Sequence, residues 1–224
     1  MVGLIVVALI WAIYGVSCEE FTTSNISSNS QWMQDWFIAR NSRSSGGRFI
    51  EIGSFHPFFF SNTLMLERCL GWRGACVEPN PTFHETFRLS RSCHLIPACA
   101  WSEAKNMTLS IDSDPIEAKI ISSGDPNHSR SFAVRCLSLA DIIDLHDRAD
   151  PLPRESDGRK TVDALLIDAE GSELQILRGF NFSRFQIKMI MFEASEDSLQ
   201  VEAVLLQNGF EKVAMLGGDW VFLA

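Results

Sequence analysis

The chain has 224 residues, 46% hydrophobic and 21% charged, the balance of one globular domain of ordinary size rather than of a disordered segment. Its formal net charge is −9; nucleic-acid binding rests on clustered Lys and Arg that neutralise phosphates, so this composition argues against a nucleic-acid partner. Sixteen Phe against one Tyr point to a dry, aromatic-rich interior.

The first 18 residues carry no charged side chain, and Val2 to Val16 is apolar. That is short of the roughly 20 residues needed to span a bilayer. It fits the apolar region of a secretory signal peptide over residues 1–17, with cleavage after Gly15-Val16-Ser17. The competing expectation is an uncleaved membrane anchor through residues 2–16. Export to the secretory pathway is expected on two further grounds. Asn-X-Ser/Thr sequons stand at Asn25, Asn106, Asn127 and Asn181. Cysteines stand at 18, 69, 76, 93, 99 and 136, an even number if cleavage follows Ser17. Cys93 and Cys99 flank a predicted strand, so they lie roughly 20 Å apart and cannot bond to each other. Cys69 with Cys93 is the expected pair, and Cys76 and Cys99 read equally well as buried small apolar residues.

Residues 18–47 read as a Ser/Asn-rich linker, a short helix over Trp32 to Ile38 and a Ser-Ser-Gly-Gly turn. From Arg48 onward strands alternate with helices, forming one domain over 48–224. The predicted strands are Arg48–Gly53, Gly74–Glu78, His94–Ala98, Met107–Ile111, Val162–Asp168, Lys188–Glu193, Phe210–Met215 and Trp220–Leu223. The predicted helices are Asn62–Leu70, Thr82–Leu89, Leu137–His146, Gly171–Arg178 and Leu199–Asn208. Gly179 and Gly209 read as left-handed stops after two of them, and Asp197 with Gln200 as a capping pair. Asp147 to Lys160 is polar and reads as a loop. The alternation implies a mostly parallel sheet, and Leu216-Gly-Gly-Asp219 between the last two strands has hairpin spacing.

Three stretches carry chemistry. In Phe49-Ile-Glu51-Ile-Gly53-Ser54-Phe-His56-Pro57, a glycine follows a strand and lets the backbone pass close to a ligand. In Val77-Glu78-Pro-Asn-Pro81, an acid at the next strand's tip, 25 residues beyond Gly53, suits bidentate recognition of ribose hydroxyls. In Ala164-Leu-Leu-Ile-Asp168-Ala-Glu170-Gly171-Ser-Glu173, an apolar strand delivers Asp168 and Glu170 to the sheet edge, as a general base or as orienters of a hydroxyl. Glu173 reads equally as a first-turn acid favoured by the helix dipole, and His56 as a structural loop residue. No Gly-x-Ser-x-Gly or Gly-x-Gly-x-x-Gly occurs, and the Cys and His spacings form no recognisable zinc site, so no metal is assigned.

Together these stretches resemble the FkbM family of S-adenosylmethionine-dependent methyltransferases, over roughly Phe49 to Leu223. The matching segments are Ile50-Glu51-Ile-Gly53-Ser-Phe-His-Pro57, Cys76-Val-Glu78-Pro-Asn-Pro81 and Leu165-Leu-Ile-Asp168-Ala-Glu170-Gly171-Ser-Glu173. Ser61-Asn62-Thr63, Ala100-Trp101-Ser102 and Leu137-Ser-Leu-Ala-Asp141 are also similar. The resemblance implies a class I methyltransferase fold: α/β, Rossmann-like and doubly wound, with a mostly parallel seven-stranded sheet ending in an antiparallel hairpin. It implies that Glu51, Gly53 and Ser54 line the methionine part of the cofactor and that Glu78 holds the ribose. Ala100 and Trp101 would lie near adenine, and Asp168 and Glu170 would face the transferred methyl. The implied reaction is O-methylation of a hydroxyl on a glycan or small molecule. Pro57 stands where the family carries a second glycine, and brings bulk toward the cofactor's carboxylate end. That departure, together with an oxidising compartment in which cofactor supply is not assured, motivates an alternative: a catalytically inactive protein of the same fold serving as a secreted interaction module.

Overall fold

Arg48–Ile52, Ala164–Ile167 and Met189–Glu193 are near-continuous apolar runs, as strands buried on both faces must be. The computed structural model, which describes residue 18 and residues 28–43, 45–111, 118–121 and 131–224, places them side by side at the centre of a seven-stranded sheet. The leader, most of the linker and the sequons at Asn25 and Asn127 lie outside the described residues. Among the described residues no helix is long and apolar enough to cross a membrane.

In chain order the elements are α1 (Gln34–Asn41), β1 (Arg48–Ile52), α2 (Leu64–Leu70), β2 (Arg73–Val77), α3 (His84–Ser90), β3 (His94–Ile96), β4 (Cys99–Trp101), β5 (Lys105–Ile111), β6 (Ala118–Ile121) and β7 (Ser131–Ser138). There follow α4 (Leu139–Ala149), β8 (Lys160–Val162), β9 (Ala164–Ile167), α5 (Glu173–Arg178), β10 (Phe185–Ile187), β11 (Met189–Glu193), α6 (Ser198–Gln207), β12 (Glu211–Leu216) and β13 (Asp219–Leu223). The main sheet has the order β12-β13-β11-β9-β1-β2-β3. Strands β3, β2, β1, β9 and β11 are parallel, and β13 enters antiparallel between β11 and β12.

The sheet is covered on both faces. On one, Ile50, Val77, Leu165, Ile167 and Phe192 pack against Ile142 of α4, Leu174 of α5 and Leu205 of α6. On the other, Phe49, Leu166, Met191 and Val221 pack against Ile38 of α1, Met65 of α2 and Phe87 of α3. This is the doubly wound Rossmann-like fold that the resemblance implies, with the expected terminal hairpin. The chain crosses from one side of β1 to the other between β3 and β9, and in such sheets the crevice at that switch point is where ligands bind.

A second, four-stranded sheet, β4-β7-β5-β6, was not anticipated from the sequence. Met107–Ile111 belongs to it and not to the main sheet. Its legible signal was the alternation in Ser131–Ser138, where Val134 and Cys136 turn inward and Ser131, Ala133 and Arg135 outward; the predicted helix over Leu137–His146 begins instead at Leu139.

The disulfides differ from the expected pair. Cys69 bonds Cys18, Cys76 bonds Cys93 and Cys99 bonds Cys136. Strand register is the reason. Cys99 and Cys136 are direct partners across β4 and β7, with Cα atoms 4.3 Å apart. Cys93 precedes β3, which lies beside the β2 strand that carries Cys76. Two local expectations also change. Gly179 is not a left-handed stop (its φ is −85°); a side chain there would strike the Ser102 carbonyl oxygen at 2.3 Å. Gly209 does take a positive φ, of 87°. Asp197 makes no side-chain cap to the α6 backbone, and Gln200 Nε2 donates to its carboxylate instead.

Candidate functional site

β1, β2 and β9 end together at the switch edge, and the loops that follow them build a cleft enclosing about 910 Å³, open mouth included. Glu51, Gly53, Ser54, Glu78, Ala100, Asp168 and Glu170 all line it. Seven of the eight residues marked from the sequence therefore meet in one place. The eighth, Trp101, stands outside the cleft wall, packed in the second-sheet cluster with Lys105 Nζ 4.9 Å from its ring centre. Ala98, Cys99 and Ala100 form that wall instead, facing Leu109 of β5 and Ala118 and Ile120 of β6.

Gly53 makes the close approach possible. Its φ is +76°, and a Cβ built there would sit 1.6 Å from the Asp168 carbonyl oxygen. The Gly53 and Ser54 amides both donate to the Val77 carbonyl, tying the turn to β2, and Ser54 Oγ donates back to the Glu51 carbonyl. Three non-glycine residues of the cleft, Phe55, Phe60 and Glu170, also have positive φ, of 45°, 59° and 51°. Backbone strain of this kind costs about 1–3 kcal/mol per residue and gathers at functional sites.

Both acids at the cleft floor are buried and held. Glu51 accepts from the Asn62 amide at 3.1 Å and from Thr63 Oγ1 at 2.7 Å. Burial raises its pKa, and the nearby Arg91 guanidinium opposes the rise. Glu78 accepts from the Phe55 and Asn80 amides, each at 2.7 Å. Burial nevertheless pushes its carboxyl up to about 8. Beside them Asn62 lines the cleft with a buried Oδ1 that has no partner. Asn62 was noticed in the sequence only as part of a family-like tripeptide; its exposure to the cleft depends on how the loop folds.

At the opposite lip, Asp168 borders the cleft while protein atoms crowd its carboxyl. That crowding, then Glu193, Asp219 and Glu170, keep its proton on well above the ordinary carboxylate range. Carboxylate oxygens of Asp168, Glu170 and Glu193 all lie within 4.8 Å of one another, a spacing that could hold a cation although the sequence suggested no metal. Lys119 of β6 approaches Glu170 at 3.8 Å. Glu173 sits behind this lip, with Oε1 accepting from the Ala169 and Gly171 amides, so it holds the loop rather than only the helix end.

Pro57 does not fill the cleft. It is buried outside the lining, with its carbonyl taken by Arg91 Nη1 at 3.1 Å. His56 turns the loop: its Nδ1 accepts from the Phe58 and Phe59 amides at 3.1 Å, and its ring packs among Phe55, Phe58, Phe59 and Phe83. It is a loop residue and not part of the cleft wall.

The profile of the methyltransferase FkbM domain matches residues 51–212, from the first cleft acid to the terminal hairpin. The chain belongs to the FkbM methyltransferase family. A search of curated proteins found no match. Among solved structures, the chain is similar to a methyltransferase FkbM from Methylobacillus flagellatus KT, at 11% identity and a TM-score of 0.47, over 80% of this chain. It spans only 44% of that protein's length. It is also similar to a precorrin-6y C5,15-methyltransferase from Geobacter metallireducens GS-15, at 12% identity and a TM-score of 0.42, over 84% of each chain. The family assignment rests on the profile match, and the fold on the strand order and helix layers of this chain.

Proposed function

We propose that this FkbM-family chain is an exported, S-adenosylmethionine-dependent O-methyltransferase acting on a hydroxyl of a sugar or small metabolite. The observation that carries the reading is the convergence of Glu51, Glu78 and the orphaned Asn62 Oδ1 in one cleft at the sheet's switch point. The residues fit the cofactor. The far wall of the cleft is apolar, and its free acceptors suit an ammonium and a vicinal diol.

When bound, S-adenosylmethionine would supply a methyl whose transfer to a hydroxyl oxygen leaves the bonding electron pair on sulfur. Glu78, with both oxygens oriented by backbone amides, would receive the ribose hydroxyls. Glu51 and Asn62 would face the methionine end, with Gly53 and Ser54 shaping the turn beneath it. Ala100 would lie against adenine. Asp168 would be the general base, its carboxyl pKa raised by burial and by Glu193, Asp219 and Glu170 and so a stronger base once ionised. Its carboxylate would take the proton of the acceptor hydroxyl, with Glu170 orienting that hydroxyl. Most of the rate would come from positioning.

The alternative of an inactive module had two motives, Pro57 and an oxidising compartment without an assured cofactor supply; the first loses its ground, because Pro57 stands outside the cleft wall. Three disulfides and the exposed sequons Asn106 and Asn181 support an oxidising, exported setting. The test is calorimetric titration of S-adenosylmethionine and S-adenosylhomocysteine into the disulfide-intact protein. Micromolar binding that is lost in Glu78→Ala is the expected result; no binding by the folded parent would refute the reading.

A further inference from the structure

The loop from Gly53 to Thr63 carries Ser54, Phe55, Phe60 and Asn62 into the cleft, yet it lacks the second glycine of the family pattern and has three phenylalanines in a row. Something outside the loop must fix its course. Arg91, the residue that ends α3, supplies that restraint. Its side chain is fully buried. Nε donates to Glu67 Oε2, Nη1 to the Pro57 carbonyl at 3.1 Å and to Ser61 Oγ at 3.0 Å, and Nη2 to Thr63 Oγ1 at 2.7 Å. The contacts continue inward. Thr63 Oγ1, accepting from Arg91, has its own proton free to donate to Glu51 Oε2, while the Asn62 amide holds Glu51 Oε1.

We infer that Arg91 is a positioning residue for the cofactor cleft, acting through Thr63 on Glu51 and, by pinning residues 57 to 63, on the side chain of Asn62. The inference rests on the cofactor reading above. Arg91 touches no cleft surface itself. Its planar fork reaches acceptors at four residues in fixed directions, which the single ammonium of a lysine cannot reproduce. Its charge is balanced by the buried Glu67, whose other oxygen accepts from the Ser92 amide and hydroxyl. Removing Arg91 outright would strand that carboxylate and threaten folding, so the decisive variant lies one step inward.

The experiment uses the full chain with its disulfides intact and compares the parent with Thr63→Val, Thr63→Ser and Arg91→Lys. Two quantities are read: amide hydrogen exchange of residues 54–64 without ligand, and affinity for S-adenosylhomocysteine by calorimetry. Thr63→Val keeps the size and the Arg91–Glu67 pair but cuts the link to Glu51. Exchange at residues 61–64 should rise at least tenfold in Thr63→Val and Arg91→Lys while β1 and β9 stay protected. Affinity should fall at least tenfold in both, and Thr63→Ser should restore it. Unchanged exchange in Thr63→Val overturns the inference, and so does faster exchange with parental affinity. A parent that fails to bind S-adenosylhomocysteine refutes the cofactor reading itself and removes the positioning role with it.

Discussion

Gly53→Ala is the sharpest test of how the cleft is built. The added Cβ would lie 1.6 Å from the Asp168 carbonyl oxygen and 2.8 Å from its carbonyl carbon, and both obstacles are backbone. To reach even the shortest tolerable contact, the ends of β1 and β9 must part by about 1.4 Å, given that real Cβ contacts essentially never fall under 3.0 Å. Two hydrogen bonds hold this turn: the Asp168 amide donates across the junction to Ile52 O at 3.0 Å, and the Gly53 amide donates to Val77 O of β2 at 2.9 Å. Losing both costs about 2 kcal/mol, and holding alanine at a left-handed φ costs about 1–2 kcal/mol more. The total is about 3–4 kcal/mol, and at 2–4 °C per kcal/mol for a domain of this size the melting temperature should drop by about 10 °C. Gly158→Ala is the control: its φ is +87° but nothing lies within 4 Å of the added carbon, so only the same conformational cost of about 1–2 kcal/mol applies. Melting both variants by circular dichroism, and titrating both with S-adenosylhomocysteine, separates packing from conformation. A Gly53→Ala protein that melts and binds like the Gly158→Ala control would show that the two strand ends do not meet as described.

Asp168→Asn should abolish methyl transfer in a radiolabel assay without lowering the melting temperature, because the amide cannot accept the proton yet is as neutral as the protonated carboxyl and can still donate to Glu193; parental turnover would remove the base assignment. Replacing both Cys99 and Cys136 with serine opens a loop spanning 37 residues and should cost about 4 kcal/mol in the chain-entropy account, seen as a lower denaturation midpoint; a shift under 1 kcal/mol would contradict a bond at this register. Stability should also vary with pH in two opposed ways. Burial lowers His146 from its model-peptide value of 6.5 to about 4, so the unfolded chain binds the extra proton first and stability falls as pH drops through that window. Glu78 is raised from 4.5 to about 8, so its contribution is full below 4.5 and is lost as pH rises through about 8. Denaturant titrations should therefore give a plateau near pH 4.5–6.5 for the parent. The fall on the acid side should shrink in His146→Gln, and the fall toward pH 8 in Glu78→Gln; unchanged profiles would count against these burials.

The order and character of the main elements follow from local sequence. Two-faced burial demands near-continuous apolar strands, so Phe49 to Ile52, Ala164 to Ile167 and Met189 to Phe192 announce a parallel sheet. The two glycines between Leu216 and Asp219 announce the hairpin. The cleft acids were legible for the same reason: Glu51, Glu78 and Asp168 each stand where an apolar strand stops, and such strands in a parallel sheet stop on one edge. What the sequence left open depends on partners distant along the chain. Short strands such as Cys99–Trp101 and Ala118–Ile121 carry little periodicity, so the second sheet and its Ile120 wall came from the fold. The bonds of Cys99 to Cys136 and Cys76 to Cys93 are set by which strands adjoin and in what register. Pro57 read as an obstruction because position along a motif does not say which way a loop turns; the left-handed Phe55 and the Arg91 fork carry it out of the cleft. Nothing local in the sequence marks Arg91, because its partners at 57, 61, 63 and 67 are brought to it only by packing α2 against the end of α3. Local pattern decides which segments become strands or helices and where their ends fall, while strand partners, the direction of each loop and the partner of each buried polar group are decided by contacts that exist only once the chain is folded.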